Sequence, residues 1–155
     1  MIEENIKNRE KNSHQNYKPL FNISSTARIL NISVHTLRMY EKEGLIKPFK
    51  KSSKHRLYSQ HDIERIECIR NSIKNKKFTI PAIKTMYSFI PCWKIVGCSE
   101  KEREICPAYK NYDNPCWNYS HKNTICETKD CRECTVYTDF NNCDKIKEKL
   151  KELIK

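Results

Sequence analysis

The sequence predicts a mainly α protein: an N-terminal winged helix-turn-helix, then a small, irregular cysteine-rich domain and a short C-terminal helix. Three observations point there. Positive charge is concentrated in residues 1–91, with 18 Lys/Arg against 8 Asp/Glu, while residues 92–155 hold 12 against 11. The cysteines are distributed the other way, with Cys68 alone in the first part and eight between 92 and 143. Between 19 and 91, apolar residues recur at helical spacing and are punctuated by capping residues.

Residues 1–18 are polar and mixed in charge. They are expected to form a disordered tail for that reason, and they lack the apolar centre of a signal peptide. No apolar run approaches the roughly 20 residues of a membrane span. The expected location is therefore cytoplasmic, where clustered cysteines point to metal binding or redox chemistry more than to structural disulfides.

Residues 19–91 form the expected DNA-binding domain. Ser24 can cap a helix over "SSTARIL", and Asn31 suits a left-handed turn residue. Ser33 can cap a second helix, "VHTLRMYEKEG", which Gly44 stops. Two short helices around a three-residue turn make a helix-turn-helix whose second helix can enter a major groove. In "LIKPFKKSSKHRLYS", Leu45-Ile46 and Leu57-Tyr58 can pair as strands around a basic tip, forming a wing. Ser59 and Asp62 then form a capping box, and Ile63, Ile66, Ile69 and Ile73 a buried stripe. Cys68 lies off that stripe and reads as an exposed free thiol. Thr79 and Pro81 open a fourth helix with Ile83, Met86 and Tyr87 as core, and Pro91 ends it.

The ordered text "ISSTARILNISVHTLRMYEKEGLIKP", "HRLYSQHDIERIECIR" and "FTIPAIKTM" resembles the MerR family of bacterial transcription regulators over about residues 20–90. The resemblance implies that the second helix reads double-stranded DNA and the wing grips its backbone. The positions carried over are Thr36, Arg38 and Tyr40 on the helix and Arg56 and Tyr58 on the wing, with Lys54 and His55 adding charge. It also implies work beside RNA polymerase at a promoter. The long dimerisation helix of that family has no counterpart, because Pro91 and the cysteines stand where it would run.

Residues 92–143 space their cysteines as C-x5-C-x7-C-x9-C-x9-C-x4-C-x2-C-x8-C. Only Cys131 and Cys134 form a C-x2-C pair, so a zinc ribbon is poorly matched, and ferredoxin spacings do not fit either. Pro-Cys-Trp occurs twice, at 91–93 and 115–117, and these hold both tryptophans of the chain. Aromatic residues and prolines around thiols suit an iron–sulfur cluster, with zinc as the alternative and disulfides or free thiols as the plainer reading. The expected ligand set is Cys92, Cys98, Cys106, Cys116, Cys126, Cys131 and Cys134, with Cys143 spare. The segment also resembles Cys-Trp-rich modules attached to bacterial signalling proteins. His121 is its one histidine, and no Cys–His pair is apparent, so no enzyme activity is expected.

Residues 144–155 form an amphipathic helix with Ile146, Leu150, Leu153 and Ile154 on one face. That face must pack on something, either a second copy in a homodimer or the cysteine domain. The sum of these expectations is a DNA-binding transcription regulator that senses metal or redox state through thiolates.

Overall fold

The computed structural model describes residues 16–155 of the chain. Most of the expected tail, residues 1–15, lies outside the described residues. Tyr17 is not part of a free tail, because its ring stacks on His61 with centroids 4.0 Å apart.

Strand β1 (Phe21–Asn22) leads directly into helix α1 (Ile23–Leu30). Asn22, not Ser24, caps α1, its side chain accepting from the Ser25 N–H. Asn31 takes the left-handed conformation, with φ 51°, and turns the chain into α2 (Val34–Lys42), capped by Ser33. Leu37 and Tyr40 are the buried residues of α2.

The wing differs from the expected hairpin. Its strands are β2 (Phe49–Lys50) and β3 (Arg56–Tyr58), and β1 adds a third strand in the order β1-β3-β2. All pairings are antiparallel, with Phe21 opposite Tyr58 and Phe49 opposite Leu57. Leu45 and Ile46 are buried in the connection instead of pairing as a strand. The Leu45 N–H closes the α2 turn on the Tyr40 carbonyl, and Pro48 has no N–H to give a ladder.

Helix α3 (Gln60–Lys74) has the full capping box of Ser59 and Asp62. It buries two faces. Ile63, Ile66 and Ile69 form one. Asp62, Arg65, Cys68 and Ser72, spaced by three or four residues, form the other. Helix α4 (Ile80–Ser88) starts at the Thr79 cap with Pro81 in its first turn.

Short elements follow: α5 (Cys92–Val96), α6 (Glu100–Ile105), α7 (Pro107–Lys110) and α8 (Thr135–Thr138), with 3-10 turns at Cys116–Asn118 and Cys131–Glu133. A last 3-10 turn, Cys143–Lys145, opens α9 (Ile146–Ile154). Trp117, Val136, Tyr137 and Phe140 belong to the same buried cluster as Leu37, Ile66 and Tyr87. The hydrophobic core therefore crosses the boundary between the basic and cysteine-rich parts. Ile146, Leu150 and Leu153 pack against this cluster, leaving Ile154 exposed. The tail helix thus covers its own chain, with Ile146, Leu150 and Leu153 half-buried there.

Two cysteine expectations are corrected. Cys68 is buried, not exposed, and Cys143 is not spare, because the two form a disulfide across 75 residues of sequence. The cysteine-rich part covers the second face of α3, and burial of Cys68 follows from that cover. When the protein is denatured without reductant and alkylated, label is expected on Cys92, Cys98, Cys106, Cys116, Cys126, Cys131 and Cys134 only. Mass spectrometry should recover Cys68 and Cys143 as one cross-linked peptide pair, whereas label on both would contradict the pairing.

Candidate functional site

Two surfaces carry the residues singled out in the sequence. The first is the exposed side of α2 with the wing. Arg38 is exposed and Thr36 half-buried, its N–H bound to the Ser33 hydroxyl at 3.0 Å. At the wing tip Lys51, Lys54 and His55 are exposed, and Lys54 adopts φ 63° to close the hairpin. Arg56 is partly spoken for. Its Nε donates to the Glu41 carboxylate, which also takes Lys50 Nζ at 2.8 Å. Burial works against the Glu41 charge, but the bonds from Arg56 and Lys50 outweigh it and hold the carboxyl below the ordinary range. Glu41 thereby ties α2 to both strands of the wing.

Tyr40 and Tyr58 do not belong to this surface. Tyr58 is 0% exposed and Tyr40 is buried. Burial raises the pKa of both hydroxyls, and that of Tyr58 has no hydrogen-bond partner among the described residues. Both are core residues, and their expected phosphate contacts are withdrawn.

The second surface is internal. All seven cysteines of the expected ligand set line one cavity, walled by Trp93, Trp117, Tyr109, Val136 and Tyr137. Its empty space is about 600 Å³ with the mouth included, and its lining is made mostly of thiols, aromatic rings and valines. The two Pro-Cys-Trp units bring Cys92 and Cys116 together. A hydrogen bond between these two free thiols, with burial adding to it, raises the pKa of Cys116, and the same hydrogen bond lowers that of Cys92. Burial pushes the Cys126 thiol up to about 12. Among the described residues, no group of three or more His, Cys, Asp or Glu side chains is arranged to hold a single metal ion. A tetrahedral zinc site needs its sulfurs within about 4 Å of one another.

His121 was missed as a site residue, and it forms the Cys–His contact that the sequence did not reveal. Its Nε2 meets the Cys116 carbonyl at 2.8 Å, and its Nδ1 lies 3.5 Å from Cys106 Sγ. A carbonyl only accepts, so Nε2 carries the proton, and Nδ1 is left as an acceptor facing the cavity. Metal-binding histidines are oriented in this way by a second hydrogen bond. The 14 residues between Cys106 and His121 hid the contact.

The two surfaces meet at the end of α2. Trp117 Nε1 and Asn118 Nδ2 both donate to the Gly44 carbonyl, at 2.9 and 3.1 Å. Tyr137 Oη accepts from the Lys47 N–H at 2.9 Å and donates to Asp62 at 3.1 Å. Lys47 Nζ reaches the Trp117 carbonyl at 3.3 Å. Trp93 has a different place despite its matching tripeptide. It is half-buried and edge-on to Tyr109 at 5.1 Å, on the outer wall.

Comparison with known proteins bears on the first surface. Residues 21–89 match the model of the MerR HTH family regulatory proteins. A stretch of 63 residues is 43% identical to a Haemophilus influenzae protein named "Probable heavy metal-dependent transcriptional regulator", covering 40% of this chain and 48% of that protein. The match thus spans about half the length of that relative. No solved structure matches the chain.

Gly44 is the most exacting position of the junction. Its φ is +73°, and a Cβ there would come within 2.0 Å of Asn118 Nδ2. Gly44→Ala is expected to destabilise the fold by about 1–3 kcal/mol through backbone strain and the displaced Asn118. Denaturant unfolding measures this, and Asn118→Ala in the same background should recover part of the loss.

Proposed function

We infer that this chain, whose residues 21–89 are a MerR-family helix-turn-helix domain, is a sequence-specific DNA-binding transcription regulator controlled by a metal centre in its cysteine cavity. The observation that carries the reading is the convergence of seven thiols on one narrow cavity whose wall residue, Trp117, is bonded to the end of α2. The name of the Haemophilus relative agrees with metal-dependent regulation.

On the DNA side, α2 presents Arg38 and Thr36 to a major groove, and Lys51, Lys54 and His55 lie along the backbone. Arg56 acts with Glu41 to keep wing and helix in register. On the sensing side, the seven cysteines with His121 are the candidate ligands. An iron–sulfur cluster is the preferred occupant, and would supply a negative charge that varies with redox state. The aromatic wall would exclude water from it. Trp117 and Tyr137 would pass any change in the wall to Gly44 and Lys47.

Protein purified without air should contain iron and sulfide, with charge-transfer absorption in the visible range. Zinc alone would replace the cluster by a structural or zinc-sensing centre. Neither metal, in protein that folds and binds DNA normally, would remove the sensing role. Cys116→Ser and Cys134→Ser should each lower metal content, whereas Cys68→Ser should not. Arg38→Ala should weaken binding to the specific operator by about 1–3 kcal/mol if it reads a base. Fluorescence titration at fixed salt checks this, and unchanged affinity in a folded variant would contradict the docking.

A further inference from the structure

Helix α3 carries one charged group that neither surface uses. Arg65 is 0% exposed. Its guanidinium carbon lies 4.2 Å from the Tyr137 ring centroid, 4.9 Å from that of Trp117 and 5.1 Å from that of Tyr87. One terminal nitrogen donates to the Tyr137 carbonyl. Nε and Nη1 are buried with no hydrogen-bond partner among the described residues. Asp62, one turn back on α3, acts on Arg65 through space but does not bond to it. Its Oδ2 takes the Ser59 N–H and hydroxyl, and its Oδ1 takes Tyr137.

A guanidinium cannot lose its charge by giving up a proton. Three aromatic faces attract it but do not neutralise it. A buried cation with no bonded anion is costly unless an opposite charge acts on it from nearby. Two of the three cage rings are also cavity walls. Trp117 directly follows Cys116, Tyr137 is the third residue after Cys134, and both rings line the thiol cavity. Four thiolates around zinc or an iron–sulfur cluster leave a net negative charge. Through an apolar wall, such a charge is weakly screened.

We propose that Arg65 is the buried counter-charge of the loaded thiolate site. It stands behind the Trp117–Tyr137 wall, outside the cavity lining, so it offsets the charge of the site without competing for the metal. The inference rests on the metal-centre reading above. Other cations near the site keep contact with solvent. Arg103 bonds the Cys98 carbonyl, Lys129 is exposed at the cavity lining, and Lys47 is exposed beside Trp117. Water screens those three, but not Arg65.

The test compares the full-length chain with Arg65→Met, Arg65→Gln and Arg65→Lys, each prepared anaerobically with iron and sulfide, or with zinc. The readouts are the rate of metal loss to excess chelator and the Tm of loaded and metal-free protein. The metal-free Arg65→Met protein should be as stable as the wild type or more so, because an unpaired buried charge is gone. It should lose metal roughly tenfold faster and gain less Tm on loading. Arg65→Gln, which can still bond the Tyr137 carbonyl, should behave likewise and gives the readout if the methionine variant does not fold. Arg65→Lys should retain metal more nearly as the wild type does. Equal loss of Tm in both forms, with unchanged metal retention, would make Arg65 a packing residue and overturn the proposal. A wild-type protein that takes up neither metal would overturn the metal-centre reading, and this inference with it.

Discussion

The hydrogen bond from the Trp117 indole to the Gly44 carbonyl is the contact on which the rest of the arrangement depends. It joins a residue beside Cys116 to the second residue after the end of α2. The bond is made beneath a buried ring, so breaking it would leave the indole N–H without an acceptor, at a cost of about 1–3 kcal/mol. Asn118 shares the same carbonyl, and that close approach leaves no room for a side chain at position 44. Around this point Tyr137 links Lys47 to Asp62, the capping residue of α3. The start of α3, the end of α2 and the thiol cavity are therefore held by one small set of bonds.

This explains how so small a cysteine-rich segment can be ordered. Its helices are four to six residues long as far as Thr138, too short to persist alone in water. They do not build a separate core. Trp117, Val136, Tyr137 and Phe140 join the core of the helix-turn-helix, and the Cys68–Cys143 disulfide closes the segment onto α3. A change in the cavity wall has few independent ways to relax, because the wall is also the underside of the helix-turn-helix half.

What the sequence made legible was governed by short-range rules. The Ser33, Ser59 and Thr79 caps, the left-handed Asn31 and the isoleucine stripe of α3 each depend on neighbours within a few residues, and each is found in place. The seven cavity cysteines were legible as a set because their density exceeded what isolated thiols require. The failures share a different cause. Arg65 and Cys68 occupy positions of α3 that pattern alone assigns to solvent, and partners some 50–75 residues away bury them. Tyr40 and Tyr58 have the right chemistry for phosphate, but ring burial decided their orientation. The third strand and the His121–Cys106 contact also depend on long-range closure, which leaves no local mark.

The thiol site and the end of α2 form one mechanical unit. Hydrogen exchange of the protein, with and without a metal chelator, tests this most directly. Amides of residues 44–47 are expected to lose protection together with those of 92–134, because Trp117 and Tyr137 hold both. Opening of 92–134 with unchanged protection at 44–47 would contradict it.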